Sequence, residues 1–495
     1  MNRPIEDILK HRFGHDALYP LQRLIVDRVT AGRDALVVMP TGAGKSLCFQ
    51  LPALALPGKG GADSEARGVA LVFSPLIALM EDQVAALRKK GIDAAYINST
   101  LDRNQREERM AGLARGDYEL IYATPERMDK PAFVDALLKV PGGVKLLAVD
   151  EAHCISKWGH DLRPAYQRIG EFRRLLGNPL TIALTATATP RVREDIRAVI
   201  GVTEEEMPLF AAPIERPNLS YRSDEVWSDK DRAEHIVERC RETRGTGIVY
   251  YALIKHLEHA RREITAALEK AGIDRRIQTY HGKLDPKDKK RVYRRFINAK
   301  PDDGLLLLAT NAFGMGVDKP DIRFIVHAQI PSSVEAYAQE TGRAGRDGEP
   351  STCQLLFAQD DIAVQRQFIE WMNPPAHLLA EIGHAIDRRY GDAGHADFDH
   401  DELYLDVIGK GRGDGRFEYA LITLEKLGVI EPTSAPGRYR PVRPLTDDDL
   451  DPEAIEEKKK QDLLRLLDVV HLARAGDIKS YIHDYFKLDP TPIPQ

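Results

Sequence analysis

The chain has 495 residues, 43% of them hydrophobic and 29% charged, with a formal net charge of −6. That length predicts about three domains, while the absence of a long apolar run and of a signal-peptide core in MNRPIEDILKHRFG argues against a membrane or secreted class. Four widely spaced cysteines, Cys48, Cys154, Cys240 and Cys353, form no CxxC pair, which argues against a disulfide framework or a sequence-adjacent zinc site. A nucleic-acid partner would need a local basic groove, because the overall charge is negative.

Up to roughly residue 200, short β-rich runs alternate with helical stretches. The runs are 35–39, 70–73, 94–97, 120–123, 146–149 and 181–184, and the alternation predicts a doubly wound, mostly parallel sheet. Residues 201–217 read as a connector. A second series of runs, at 247–251, 277–281, 305–309, 324–328 and 353–357, predicts a second α/β unit. Two such units in tandem create a cleft, a favoured place for a ligand. Beyond Gln359 the pattern turns helical. Residues 401–430 read as two helices around GKGRGDGR, with RYRPVR (438–443) as a basic strand, a pattern compatible with a winged helix. Residues 453–488 read as a charged helical pair broken near Gly476, and DPTPIPQ as a frayed tail. No coiled-coil heptads argue for more than a monomer.

The chemistry starts at MPTGAGKS (39–46), between a strand and a helical run. There Thr41, Gly42, Ala43 and Gly44 can crowd backbone N–H groups around phosphate oxygens. Lys45 would reach the β- and γ-phosphates and Ser46 would ligate Mg²⁺. The helix start adds its positive dipole end. Met39 stands where the general phosphate-loop pattern has its first glycine. Downstream, the run 146–149 ends at Asp150 and Glu151, and the carboxyl ends of buried strands are where α/β sheets place ligand-binding groups. Asp150 can supply the carboxylate for the metal, leaving Glu151 to orient or deprotonate a water. The following loop carries Trp158, His160 and Arg163, residue types that stack on bases and pair with phosphates. On the second unit, QETGRAGRDG (339–348) offers Arg343 and Arg346. An arginine reaching across a cleft makes hydrolysis depend on domain closure.

Taken in order, Gln22, MPTGAGKS, FSPLIALMEDQ (73–83), ATPER (123–127), VDEAH (149–153), TATAT (185–189), ATNAFGMGVDKPD (309–321) and QETGRAGRDG resemble the motif series of superfamily 2 helicases. CISKWGHDLRPAY, ERPNLSY (215–221) and NAFGMGVDKPDIRFIVH narrow the resemblance to the RecQ family of DNA helicases, over roughly residues 9–358. The resemblance implies two tandem RecA-like, parallel-sheet motor domains, at 1–205 and 206–358. A mainly helical C-terminal region with a winged helix would follow at 359–495. It implies that Gln22 reads adenine, that His153 couples hydrolysis to movement and that Asp318 faces the nucleotide. Arg346 would be the arginine finger, with Arg343 beside it in coupling or phosphate contact. Trp158, His160 and Arg163 would sense single-stranded DNA, and Ser74, Thr124, Arg127, Thr185, Tyr280, His281 and Thr310 match DNA-contact motifs at strand ends.

The chain departs from the family at four places. Leu18 and Tyr19 replace an aromatic and an arginine, leaving Tyr19 as the ring that can stack on the base. Leu162 replaces a phenylalanine, removing a stacking surface worth roughly 1–3 kcal/mol. The four-cysteine zinc module is missing: Asp477 sits near where a ligand would be, and the winged-helix stretch precedes this point instead of following it. No zinc is expected, and apolar packing must do its work. No helicase-and-RNase-D-like module is recognisable. The resemblance implies an ATP- and Mg²⁺-dependent DNA helicase that moves 3′ to 5′ on single-stranded, tailed and forked DNA. It would serve repair or recombination at the cytoplasmic nucleoid, alongside single-strand-binding or repair proteins. The competing readings are a DNA-stimulated translocase with little unwinding and a non-catalytic nucleic-acid-binding scaffold. Intact Lys45, Asp150, Glu151 and Arg346 count against the scaffold. Residues 438–443 are the best candidate for a strand-separating wedge.

Overall fold

A computed structural model of the chain describes residues 5–58, 66, 68–98, 100–156, 163–213, 216–314, 317, 319–390, 397–409, 415–433, 435 and 437–493. Trp158, His160, Leu162 and Asp318 lie outside the described residues. The first unit is a seven-stranded sheet of β1 (Ala35–Val38), β2 (Val69–Phe73), β3 (Ala94–Ile97), β4 (Leu120–Ala123), β5 (Val144–Val149), β6 (Leu180–Thr185) and β7 (Leu209–Ala211), in the order β3-β4-β2-β5-β6-β1-β7. Every pairing is parallel. Strands β1, β2 and β4 are buried at every position, as expected of apolar runs covered by helices on both faces. Among those helices, α1 (Pro20–Thr30) and α2 (Leu47–Ala55) flank the first strand. Because the strands run the same way, the residues following β1, β2, β5 and β6 emerge along one edge. That edge gathers the phosphate loop, Ser74, Asp150 and the TATAT stretch.

The second unit repeats the plan with β8 (Leu219–Glu225), β9 (Thr246–Tyr250), β10 (Arg276–Tyr280), β11 (Leu305–Ala309), β12 (Ile322–His327) and β13 (Ser351–Phe357), ordered β10-β11-β9-β12-β13-β8. Helix α3 (Val334–Thr341) carries the start of QETGRAGRDG. The connector expected over 201–217 needs correcting. Its segment β7 pairs with β1, Leu36 opposite Leu209, so the first unit extends past residue 205. A three-residue strand leaves no periodic signal. Strand β8, also unforeseen, is an edge strand whose Ser, Arg and Asp residues dilute its β character.

The C-terminal region opens with α4 (Gln359–Met372), fastened to the second unit by a buried ion pair between Arg232 and Asp361 at 3.3 Å. A winged helix follows, built from α5 (Ala376–Tyr390), β14 (Phe398–Asp399), α6 (His400–Val407), α7 (Arg416–Lys426), β15 (Ile430–Pro432) and β16 (Arg438–Pro441). Its small antiparallel sheet, β14-β16-β15, shares a core with Leu379, Ile382, Leu403, Phe417 and Leu421. The helical pair is α8 (Pro452–Ala473) and α9 (Ile478–Phe486). It packs Leu466, Val469, Leu472, Ile482 and Phe486 into a core that also holds Ile196 and Ala211 of the first unit and Tyr337 and Phe357 of the second. Polar bonds secure it: Ser223 Oγ donates to the Ala473 carbonyl at 2.6 Å and Tyr485 OH to Glu335 Oε1 at 2.9 Å. The tail expected to fray is instead held. Thr491 N donates to the Ala211 carbonyl at 2.9 Å and Thr491 Oγ1 accepts from Ala211 N at 2.8 Å. An edge strand offers such unpaired main-chain groups. Among the described residues, no helix is long and apolar enough to cross a membrane.

Candidate active site

Gly42 and Gly44 adopt φ of 86° and 78°, left-handed values that only glycine takes up cheaply. A Cβ at Gly44 would lie 2.4 Å from Gln22 Nε2, and one at Gly42 would lie 3.0 Å from Arg346 Cδ. The loop is therefore closed in by α1 on one side and by the second unit on the other. Gln22 fixes it: Nε2 donates to the Ala43 carbonyl at 3.1 Å while Oε1 accepts from Tyr19 N at 3.0 Å. Tyr19 itself is 72% exposed. Thr41 lines a small cavity with Pro40 and Thr187. Lys45 Nζ donates to the Met39 carbonyl at 2.9 Å, and Ser46 Oγ accepts from Gln83 Nε2 at 3.3 Å.

The paired acids sit deeper. Tyr166 OH donates to the Asp150 carbonyl at 3.1 Å, and Asp150 N donates to the Phe73 carbonyl at 2.8 Å, which fixes the strand end. Burial pushes the Asp150 carboxyl up to about 7; adjacent Glu151 adds to the rise and Lys45 opposes it. Burial likewise pulls Lys45 down, against the attraction of Glu151 and Asp150 and together with the repulsion of Arg346. Glu151 stands at φ 50°, a strained backbone for a residue other than glycine. Its buried Oε2 has no hydrogen bond, although His153 Nδ1 lies 3.3 Å away. Nδ1 is also 2.9 Å from Thr185 Oγ1, whose proton goes to the Thr187 carbonyl at 3.0 Å. That arrangement assigns Nδ1 as the donor. No cluster of three or more His, Cys, Asp or Glu among the described residues could cage a metal alone. Ser46 and the charge-starved Asp150 carboxylate are hard oxygen donors that fit a magnesium ion completed by phosphate oxygens.

The second unit supplies cations. Buried Arg343 donates through Nη1 to the Gly314 carbonyl, and Arg346 Nη1 donates to the Val317 carbonyl at 2.9 Å. Helix α3 is set by His327, whose Nε2 lies 2.7 Å from Glu340 Oε2 and whose ring packs against Tyr250 at 5.3 Å and Tyr337 at 4.9 Å. A cleft of about 470 Å³ adjoins this site, although Lys45, Asp150 and Arg346 do not line it. Glu151, His153 and Arg163 line it from the first unit, Asn311, Gln339 and Arg343 from the second, and Tyr419 and Arg465 from the C-terminal region.

Of the expected DNA contacts, Ser74 is buried just past β2 and Thr124 and Arg127 are half-buried past β4. Burial and neighbouring Arg106 pull the Arg127 guanidinium below its usual range, opposed by Glu126. Tyr280 ends β10 and His281 follows it, and Thr310 follows β11, its N–H on the Tyr280 carbonyl at 3.1 Å. Arg163 Nη1 reaches the Pro75 carbonyl at 3.2 Å, tying its loop to the Ser74 strand end. Thr185 is fully buried and hydrogen-bonded to His153 and Thr187, which connects the acids to the sheet. Sequence reasoning missed Gln83, which lies inside a quoted motif but whose partner is set only by folding, and it grouped Tyr166 with the base-stacking loop residues, whereas the ring is fully buried. It also missed Tyr419 and Arg465, which reach the cleft from a distant part of the chain.

Profile comparison matches the DEAD/DEAH box helicase family over residues 19–196 and the helicase conserved C-terminal domain over residues 231–348. The ATP-dependent DNA helicase RecQ of Bacillus subtilis (strain 168) is 42% identical over 368 residues, covering 74% of this chain and 58% of that protein. The probable ATP-dependent DNA helicase RecS of the same strain is 36% identical over 385 residues, covering 78% of this chain and 73% of that protein. The chain belongs to the RecQ family of ATP-dependent DNA helicases. Its fold is that of other helicases too. MrfA bound to DNA and AMPPNP superposes with a TM-score of 0.58 at 20% identity, covering 89% of this chain and 62% of MrfA. Mycobacterium smegmatis Lhr bound to ssDNA and AMP-PNP gives 0.53 at 19% identity, covering 91% and 60%. In this RecQ-family chain the two parallel-sheet units are thus RecA-like domains, with the acids on one and the arginines on the other.

Proposed function

We propose that the chain hydrolyses ATP between its two α/β units, at the phosphate loop and the paired acids, to move 3′ to 5′ along single-stranded DNA and to separate tailed or forked duplexes. The observation that carries the proposal is the convergence of Glu151, His153, Arg163 and Arg343 on one cleft between the motor domains. Thr41–Ser46 would wrap the phosphates, with Lys45 exchanging its Met39 carbonyl for them. When bound, magnesium would neutralise charge on the β- and γ-oxygens, held by Ser46 and Asp150. Glu151, its Oε2 bare, would orient or deprotonate the attacking water. Arg346 would bring positive charge to the γ-phosphate as the domains close, with Arg343 beside it. Gln22 and Tyr19 would face the base and Asp318 the nucleotide. His153, through Thr185 and Thr187, would pass the state of the acids into the first sheet.

In the same reading, Trp158, His160 and Arg163 sense the single strand, and Ser74, Thr124, Arg127, Tyr280, His281 and Thr310 follow its backbone. The protein would act as a monomer on the cytoplasmic nucleoid, in repair or recombination with single-strand-binding or repair proteins. Leu162, in place of a stacking phenylalanine, favours a second reading, translocation with weak unwinding. Steady-state ATP hydrolysis with and without single-stranded DNA tests the motor. Wild type should be strongly stimulated, Lys45→Ala inactive, and Trp158→Ala slow whether or not DNA is present. Absence of hydrolysis in wild type would sink the motor reading, and stimulation by RNA equal to that by DNA would sink the substrate. Unwinding of 3′-tailed but not 5′-tailed duplex checks polarity; translocation without unwinding selects the second reading.

A further inference from the structure

The hinge between the motor domains grips the turn that carries Arg346. Arg216 donates through Nη2 to the Ala344 carbonyl at 3.2 Å and, more closely, to the Gly345 carbonyl. Asn218 Nδ2 donates to the same Gly345 carbonyl at 2.8 Å and to the Glu349 carbonyl at 2.9 Å. From the other side, Gly345 N donates to the Ile322 carbonyl at 2.9 Å. Gly345 sits at φ +54°, where an added Cβ would lie 2.5 Å from Asn218 Nδ2 and 2.8 Å from the Glu349 carbonyl oxygen. The residue before Arg346 is therefore held on both sides, and Pro217, between the two gripping residues, fixes its own φ. A guanidinium on carbonyl oxygens makes the stronger, charge-assisted kind of hydrogen bond.

The same side chain faces the other half of the site. Arg216 lines a small cavity with Thr41 of the phosphate loop, Thr187 of the TATAT stretch, Gly342 at the end of α3 and Ile482 of α9. We propose that Arg216 and Asn218 are positioning residues for Arg346, transmitting hinge movement to the turn so that the arginine reaches the phosphates only when the domains close. This rests on the reading of Arg346 as the arginine of hydrolysis. A loop alone places a reacting group loosely; an arginine whose turn is bolted to the hinge moves with the domain rotation itself.

DNA-stimulated ATP hydrolysis by Arg216→Ala and Asn218→Ala, each made in wild type and in Arg346→Ala, tests it, with melting temperature measured for each protein. A misplacement on the order of 1 Å costs about 10²-fold in rate. Arg216→Ala should lose about that factor in kcat, with KM for ATP and melting temperature little changed. Asn218→Ala should lose less, and Arg216→Lys, which keeps one donor, should recover part of the loss. In Arg346→Ala neither change should lower the residual rate further, because residues acting as one unit are not additive. A purely structural role would instead lower kcat by the same factor in both backgrounds, or raise KM at constant kcat. Either result overturns the proposal. If Arg216→Ala fails to fold, Asn218→Ala and Arg216→Lys carry the same comparison. Should Arg346→Ala hydrolyse as wild type does, the assignment of Arg346 fails and takes this inference with it. If Arg346→Ala is impaired and Arg216→Ala is not, only the inference fails.

Discussion

In the first motor domain the charged groups of the site face one another. Lys45 lies in the field of Asp150 and Glu151, and burial shifts both Lys45 and Asp150 toward their neutral forms. In the second, Arg343 and Arg346 are anchored on the main-chain carbonyls of Gly314 and Val317. On the reading proposed above, the first domain receives the phosphates and the second delivers Arg346 to them as the domains close. Sheets of the same plan would then serve a binding half and a triggering half.

The hardest test of that division is Arg346→Ala. If the second domain delivers charge to the transition state, kcat should fall about 10³-fold, while titration with a non-hydrolysable ATP analogue still saturates the first domain with near wild-type affinity. Loss of affinity in proportion, with kcat preserved, would show that the arginine belongs to the binding half.

The halves also differ in how they meet the C-terminal region. The second domain is joined to α4 by the buried Arg232–Asp361 pair, which Gln329 completes through a 3.3 Å hydrogen bond to Asp361 Oδ1. Removing one partner of a buried pair typically costs about 3 kcal/mol; Arg232→Ala should lose that much in urea unfolding. Burial already raises the Asp361 carboxyl, with Arg232 holding it down. Without Arg232 the carboxyl rises further. The deficit is full at alkaline pH, where Asp361 must stay charged without its counter-ion, and shrinks on acidification as it takes up a proton. A deficit independent of pH would point to lost packing, not to an uncompensated charge.

Local patterns made the catalytic half legible. The phosphate loop and the DE pair are contiguous, each next to a buried strand, and spacing plus residue type suffices for such features. Gln22 and His153 were legible only through resemblance to the family, because a lone glutamine or histidine carries no chemistry of its own. The C-terminal region was read in outline: the two helices and the basic strand of the winged helix are visible in sequence, but β14 is two residues long and α5 precedes the stretch first recognised. Strand β7 is too short to show a period. Long-range grips leave no local trace: Arg216 on Gly345 and Tyr485 on Glu335 join segments whose proximity only the fold creates. The bond of Thr185 to His153 is of the same kind, since the histidine comes from another strand end.

The smallest effect concerns how the first domain holds the C-terminal region. There, besides the apolar packing of α8 and α9 on Ile196 and Ala211, a peripheral link joins the tail to the edge of the first sheet through Thr491 on Ala211. Thr491→Val keeps the shape and the backbone bond from residue 491 but removes the hydroxyl that accepts from Ala211 N. The expected loss is about 1 kcal/mol, the net worth of one hydrogen bond. It should appear as faster amide exchange at Ala211 with the exchange of β5 unchanged, since β5 lies at the centre of the sheet. A loss as large as that of Arg232→Ala would mean that the tail is integral to the first domain, and the contrast between a fused second domain and a strapped first one would disappear.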